Sequence, residues 1–408
     1  MTAILRHARS TVVTASGALA LLSAAPAGAQ LTVRLSVPEG TPPDAVVYVA
    51  GTFNGWNPAH PAWRLTAVGP GEYALTLPEE VRGPVEFKFT LGSWDRVEAD
   101  AAGADVPNRR FTVPDAGPAT YTGTVTAWRD GSPRPARAST ARRSVSVLDT
   151  AFAIPQLGRT RRVWIYLPPD YATSDRTYPV LYMHDGQNVF DEATSFAGEW
   201  GVDEALDSLH AAGDPGAIVV AVDNGQQRRL DEYSPWRNAR YGGGEGDAYV
   251  DFLANTLKPY VDRNYRTRPD RMSTGIAGSS MGGLISLYAA LRHPDVFGRA
   301  GVFSPAFWFA ADSMFAYARS ADAPLPGTRF YFVTGAREGE RPEVYVRDHE
   351  RMVETLHAAG FRRGEQVQAF VREDGTHSEG FWRREFPAAY RWLFADDDPC
   401  AAPDGPRR

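Results

Sequence analysis

Across residues 31–128, apolar and polar side chains alternate in short stretches, at 31–37, 45–50, 72–77, 85–91, 110–113 and 121–128, with turn-forming residues between them. Alternation with period two predicts strands with one buried face, and several in succession predict a small all-β, immunoglobulin-like sandwich. The pattern then breaks. Residues 130–143 read DGSPRPARASTARR, without an apolar period, which is the composition of a linker. Beyond it, strands are expected at 163–167, 180–184, 217–222, 272–277, 300–303, 330–334 and 367–372. Helices are expected at 247–260, 282–292, 343–359 and 385–394. The run at 217–222 is apolar throughout, as a strand buried on both faces must be. Strands that alternate with helices predict a mainly parallel sheet covered on both sides, an α/β domain.

The two ends differ from both bodies. Arg6, His7 and Arg9 precede an apolar run over 11–22, and Ala27-Gly28-Ala29 stands before Gln30, which is the three-part layout of a secretory signal peptide. The run falls short of the roughly 20 apolar residues that cross a bilayer, so cleavage after Ala29 is expected, with a secreted or periplasmic mature chain and no transmembrane segment. The resulting division is 1–29 signal peptide, 30–128 sandwich, 129–144 linker, 145–396 α/β domain and 397–408 polar tail. Cys400 is the single cysteine and lies in that tail, so no intramolecular disulfide can form. The formal charge is -6, more negative still once Arg6 and Arg9 are removed, which argues against a nucleic-acid partner.

The chemistry concentrates in the second domain. In Gly275-Ile276-Ala277-Gly278-Ser279-Ser280-Met281-Gly282-Gly283 a strand pattern meets G-x-S-x-G and passes directly into a helix. That is the context of a nucleophile elbow, with Ser280 at its tip and the helix start aiming backbone N–H groups at developing charge. A serine hydroxyl needs a base. His377, in the loop after the last strand, satisfies the hydrolase order of serine, acid, histidine, whereas His184 precedes the nucleophile. His7 and His60 lie outside the domain, and His210, His293, His349 and His357 lie on or beside helices. The orienting acid should follow a strand between Ser280 and His377. Glu338 in Gly335-Ala336-Arg337-Glu338 is the choice, with Glu340 on the same loop as its alternative. The N–H groups of Met281 and Gln187 are the expected oxyanion donors. No cluster with metal-ligand spacing stands out, and no cofactor is expected.

These residues carry a resemblance. Leu181 through Phe190, Arg229 with Glu232-Tyr233-Ser234-Pro235, Tyr265-Arg266-Thr267, Gly275 through Gly283, Ser304-Pro305-Ala306-Phe307-Trp308 and Gly375-Thr376-His377 together resemble the α/β-hydrolase esterases. That family includes enterochelin, feruloyl and acetylxylan esterases, esterase D and the mycolyltransferases. The resemblance implies an α/β-hydrolase fold and a serine esterase acting on carboxylic esters, with Ser280 and His377 catalytic. The family's acid loop often reads Gly-Thr-x-Asp or Gly-Thr-x-Glu. Here the carboxylate is kept and the Thr is replaced by Ala336.

In the sandwich, aromatic residues stand beside turns in Gly51-Thr52-Phe53-Asn54-Gly55-Trp56-Asn57-Pro58 and in Phe87 through Trp94, and Pro107-Asn108-Arg109-Arg110 follows. Indole faces stack on sugar rings, so a carbohydrate-binding surface and a packed core are the competing readings. The stretch also resembles starch- and glycogen-binding modules, which implies that Trp56, Lys88, Trp94 and Asn108 contact an α-glucan or another polysaccharide. Three functions stay open at this level: an esterase held near glycan, an acyltransferase passing its acyl group to a sugar, and a silent glycan-binding protein. The acyl group is unread. Trp200, Tyr233, Trp236, Phe307 and Trp308 suit an aromatic pocket or a core equally.

Overall fold

Alternation places every second residue of a strand on one face, and in the N-terminal part that rule builds two facing sheets. The computed structural model describes residues 30–104, 106–129, 137–196, 198–339 and 341–394. The signal-peptide reading, linker residues 130–136, Glu340 and the polar tail with Cys400 fall outside them. The chain divides into two units, Met1–Ser132 and Pro133–Arg408.

In the first unit the strands are β1 (Gln30–Ser36), β2 (Tyr48–Gly51), β3 (Thr66–Gly69), β4 (Glu72–Thr76), β5 (Gly83–Thr90), β6 (Glu98–Ala99), β7 (Arg109–Val113), β8 (Pro118–Thr124) and β9 (Ala127–Trp128). One sheet runs β3-β4-β1-β8 and the other β2-β5-β7, while β6 pairs with β9. Leu31, Val33 and Leu35 of β1 and Val85, Phe87 and Phe89 of β5 point into a common core that also takes Trp63. All four residues of β3 are exposed, so no buried face marked that strand in the sequence.

The second unit holds β10 (Val145–Ile154), β11 (Arg159–Tyr166), β12 (Val180–Met183), β13 (Ile218–Val222), β14 (Thr274–Ser279), β15 (Arg299–Phe303), β16 (Arg329–Gly335) and β17 (Val367–Arg372). They form one sheet in the order β10-β11-β13-β12-β14-β15-β16-β17. From β13 to β17 the neighbours are parallel, and β10 and β11 add an antiparallel edge. The helices are α1 (Val202–Ala211), α2 (Arg229–Glu232), α3 (Gly246–Phe252), α4 (Lys258–Asn264), α5 (Met281–Arg292), α6 (Ala311–Arg319), α7 (Pro342–Ala358) and α8 (Glu379–Phe394), with a π-helical turn, Leu253–Leu257, joining α3 to α4.

Parity decides which core each strand residue enters. Tyr182, Val220, Ile276 and Val302 face α3 to α7, and Leu181, Val219, Ala277 and Phe303 face α1 and α8. Both faces are thus covered, and this is the α/β-hydrolase arrangement.

The segment read as linker ends in specific contacts. Ser139 Oγ donates to Asp191 at 2.9 Å, Thr140 Oγ1 to Glu199 at 2.8 Å, and the N–H of Arg142 to Asp203 at 2.8 Å. Residues 139–142 therefore pack as part of the second unit.

Candidate active site

The end of β14 enters α5 through one residue, Ser280, with φ 59° and ψ −120°. A non-glycine residue holds such a conformation only where its surroundings enforce it. Here the Ser280 N–H donates to Phe303 O at 3.0 Å, and the Ser280 carbonyl accepts from Ala306 at 3.0 Å and Leu284 at 3.1 Å. The flanking glycines permit the close approach. A Cβ on Gly278 would lie 2.9 Å from His184 Cδ2, and one on Gly283 would lie 2.9 Å from Phe303 O. Gly278 of the G-x-S-x-G spelling and Gly283 just beyond it are thus packing requirements of this turn, whereas a Cβ on Gly282, the second glycine of the motif, would meet its nearest atoms at 3.4 Å.

Two further loops leave neighbouring strands at the same sheet edge. Glu338, fully buried, follows β16, and His377 follows β17. His377 Nδ1 lies 2.9 Å from Glu338 Oε2. Glu338 Oε1 accepts from the Gly335 N–H at 2.6 Å and from Ser304 Oγ at 2.5 Å. The loops touch backbone to backbone at Gly335 and Gly375, and the N–H of Arg337 donates to Gly375 O at 2.9 Å. Among the described residues no hydrogen bond joins Ser280 Oγ to His377, and such contacts commonly close only around substrate. No group of three or more His, Cys, Asp or Glu among the described residues is placed to hold a metal ion.

Gln187 sits in the turn after β12. Asp185 there has φ 56° and ψ 47°, and its carboxylate is clamped by Arg229 at 2.6 and 2.9 Å and by Asn224 at 2.7 Å. Burial alone would raise that carboxyl, but the Arg229 charge and the three hydrogen bonds bring it below its ordinary value. The Gln187 carbonyl accepts from Thr194 at 2.8 Å, and the Gln187 side chain accepts from the Asn224 N–H at 3.2 Å. No backbone carbonyl among the described residues outside regular elements accepts from the N–H of Gln187 or Met281. His184 packs beneath the elbow, hydrogen-bonded to the Tyr249 hydroxyl at 3.0 Å, and burial lowers it to about 4.

The aromatic residues sort by burial. Trp200, Tyr233 and Phe307 are core residues, Trp236 packs at the core's margin, and Trp308 is 39% exposed. Trp308 donates to the Tyr345 hydroxyl at 3.2 Å, and the Tyr345 ring lies 5.1 Å from that of His377. Burial pushes Tyr345 up to about 12. Glu379, two residues past His377, contacts Asn188 at 3.4 Å, and burial with the nearby Asp185 charge raises its carboxyl. Ser304, Tyr345, Glu379 and Trp382 escaped the sequence reading as site residues. For Trp382 and Glu379 the available signal was proximity to His377 along the chain.

Residues 154–393, the stretch that contains every one of these groups, match the family model described as "Putative esterase". The chain belongs to this esterase family. It is a carboxylic ester hydrolase. Among its relatives is the iron(III) enterobactin esterase of Dickeya dadantii, 30% identical over 265 residues, which are 60% of this chain and 54% of that protein. The chain thus spans about half the length of that relative. The crystal structure of the Shigella flexneri enterobactin esterase in the presence of enterobactin superposes with a TM-score of 0.50 at 18% identity, covering 89% of this chain and 92% of that one. At that identity the likeness shows the fold alone.

The N-terminal part of the esterase matches a different protein, an alpha-amylase of Niallia circulans, 44% identical over 110 residues, 27% of this chain and 8% of that enzyme. Trp56 and Trp94 are half-buried and stand outside the sandwich core, with ring centroids 6.2 Å apart and planes at 42°. Trp63, not either of them, is the core tryptophan. Lys88 alternates with inward Phe87 and Phe89, and so stands on the outer face of its sheet. Asn108 precedes β7 beside Glu86, to which it donates at 3.0 Å.

Proposed function

We propose that the esterase works through Ser280, His377 and Glu338 by way of an acyl-enzyme. His377 Nε2 takes the Ser280 proton as Oγ attacks the ester carbonyl, and the N–H groups of Met281 and Gln187 hold the tetrahedral oxyanion. His377 then returns the proton to the leaving alcohol, and water repeats the sequence to release the acid. Glu338 keeps the imidazole's proton on Nδ1, which leaves Nε2 as the base. The observation that carries the reading is the 2.9 Å contact between His377 Nδ1 and a buried Glu338, on loops beside the strained Ser280 turn.

Ser280→Ala should lower kcat by about 10⁶-fold. It should also abolish labelling by a fluorophosphonate while leaving the thermal melt unchanged. Hydrolysis at the wild-type rate would sink the assignment.

For the first unit, the reading is an α-glucan platform built on Trp56, Lys88, Trp94 and Asn108, supported by the surface position of both indoles and by the amylase match. For the ends, it is export directed by residues 1–29. Such an enzyme would meet its ester on or near a polysaccharide outside the cytoplasm.

A further inference from the structure

Glu338 owes its position to more than its own loop. Ser304 follows β15 with φ 42°, in the left-handed region, and its N–H donates to Val333 O of the neighbouring strand at 2.7 Å. The side chain is fully buried. Its Oγ has two partners, Glu338 Oε1 at 2.5 Å and Trp382 Nε1 at 2.8 Å. The directions of these bonds are fixed by chemistry. An indole N–H can only donate, so the Ser304 oxygen accepts from Trp382, and its single proton goes to Glu338. With the Gly335 N–H on the same oxygen, Oε1 is occupied by two donors and Oε2 is left facing His377. Trp382 also stands edge-on to the His377 ring, with centroids 5.2 Å apart and planes at 85°. One side chain therefore sets both the hydroxyl behind the acid and one face of the base.

We infer that Ser304 and Trp382 are positioning residues for hydrolysis: a relay of hydrogen bonds from Trp382 through Ser304 aims the Glu338 carboxylate at His377. The inference rests on Glu338 being the triad acid. Neither residue needs to touch substrate, so the relay should act on turnover and not on binding. Removing the Ser304 proton leaves Glu338 with one donor fewer, and its charge then holds the imidazolium more tightly. The acid limb of the rate profile should move to higher pH.

The test compares Ser304→Gly, Ser304→Ala, Trp382→Phe and Glu338→Gln in the full chain, with kcat and KM for a small soluble ester measured through the titration range of imidazole. Glycine is the informative replacement at 304, since it accepts φ 42° without strain and separates loss of the hydroxyl from misfolding of the turn. Ser304→Gly should lower kcat about 10- to 100-fold, the scale of one hydrogen bond to a charged group, at unchanged KM and with the acid limb displaced upward. Trp382→Phe keeps a ring beside His377 and frees the hydroxyl, so its loss should be smaller, and adding it to Ser304→Gly should cost little more. Glu338→Gln should lose about 10⁴-fold, with Ser304→Gly adding almost nothing. If Ser304→Gly keeps the wild-type rate and acid limb while Glu338→Gln is crippled, the relay is overturned and the acid stands. A loss that merely follows the folded fraction, with the acid limb unmoved, also overturns the relay. Full activity in Glu338→Gln overturns the acid, and the relay falls with it.

Discussion

Gly335→Ala tests whether the acid and histidine loops act as one piece. A Cβ at residue 335 would lie 2.3 Å from both the carbonyl carbon and oxygen of Gly375, where ordinary contact is about 3.5–4.0 Å. Both neighbours are backbone, so no side chain can swing aside, and the loops must part by on the order of 1 Å. That movement acts on the site directly. The Gly335 N–H holds Glu338 Oε1 at 2.6 Å, and His377 lies two residues beyond Gly375. Starting from 2.9 Å, the contact between His377 Nδ1 and Glu338 would open beyond hydrogen-bonding range. A 1 Å misplacement costs about 10²-fold in rate, and complete loss of the acid about 10⁴-fold, so kcat should fall between those limits with KM little changed. Overpacking should also lower stability by about 1–3 kcal/mol. Gly380→Ala is the control, because a Cβ there meets nothing within 4 Å. Steady-state kinetics on a nitrophenyl ester, run beside urea unfolding of both variants, separate the effects. Wild-type kcat in folded Gly335→Ala would show that the loops' close approach does not set the alignment of acid and base.

Three other outcomes are expected. Burial holds His184 and His349 near about 4 against 6.5 for a free imidazole, so the unfolded chain alone takes up these protons as pH falls through that window. The stability they confer is complete above about 6.5 and is lost toward 4; Asp203, raised to about 7 by burial, opposes it, favouring the folded state at the acid end of the range. His349→Gln should therefore flatten the acid-side fall in urea-derived stability by up to about 3 kcal/mol, and an unaltered slope would count against it. Thr140→Val removes the hydroxyl that joins Glu199 and the Glu192 N–H beside the Gln187 turn, and should lower kcat several-fold at constant KM; equal kinetics would make those contacts only a tether. Trp56→Ala and Trp94→Ala should weaken retention in amylopectin gels while costing well under the 3–5 kcal/mol of a core tryptophan, since neither lies in the core. Wild-type mobility that amylopectin leaves unaffected would remove the glucan reading.

What the sequence disclosed follows from the range over which each feature is specified. Ser280 was legible because its strand, its turn glycines and its helix lie within one short stretch, each with a local physical reason. β10 was not, because most of its residues are exposed and no alternation marks it. α1 carries Val202, Leu206 and Leu209 at helical spacing, yet it is ten residues long and passed unread between stronger signals. α8 starts at Glu379, six residues before the periodic stretch, with Pro387 inside it. The docked linker end was illegible for a different reason: Ser139, Thr140 and Arg142 find their partners at 191, 199 and 203, and composition carries no information on pairing at such separations.

The same reasoning explains why the support of the site was hidden while its nucleophile was plain. β12, β14 and β15 are consecutive in the sheet, and each is followed by a non-glycine residue at positive φ: Asp185 at 56°, Ser280 at 59° and Ser304 at 42°. A sequence reader locates left-handed turns by glycine; the Ser280 turn has Gly278 and Gly282 and the Asp185 turn has Gly186, but no glycine flags the Ser304 turn. At the other two positions glycine would relax the backbone but would remove the carboxylate that clamps Arg229 and the hydroxyl that holds Glu338. The strain is tolerated, on the order of 1–3 kcal/mol at each residue, where the side chain itself is needed. Positive φ at a residue other than glycine on this sheet edge is therefore a pointer to chemistry, and it pointed to Ser304 where residue type and spacing did not.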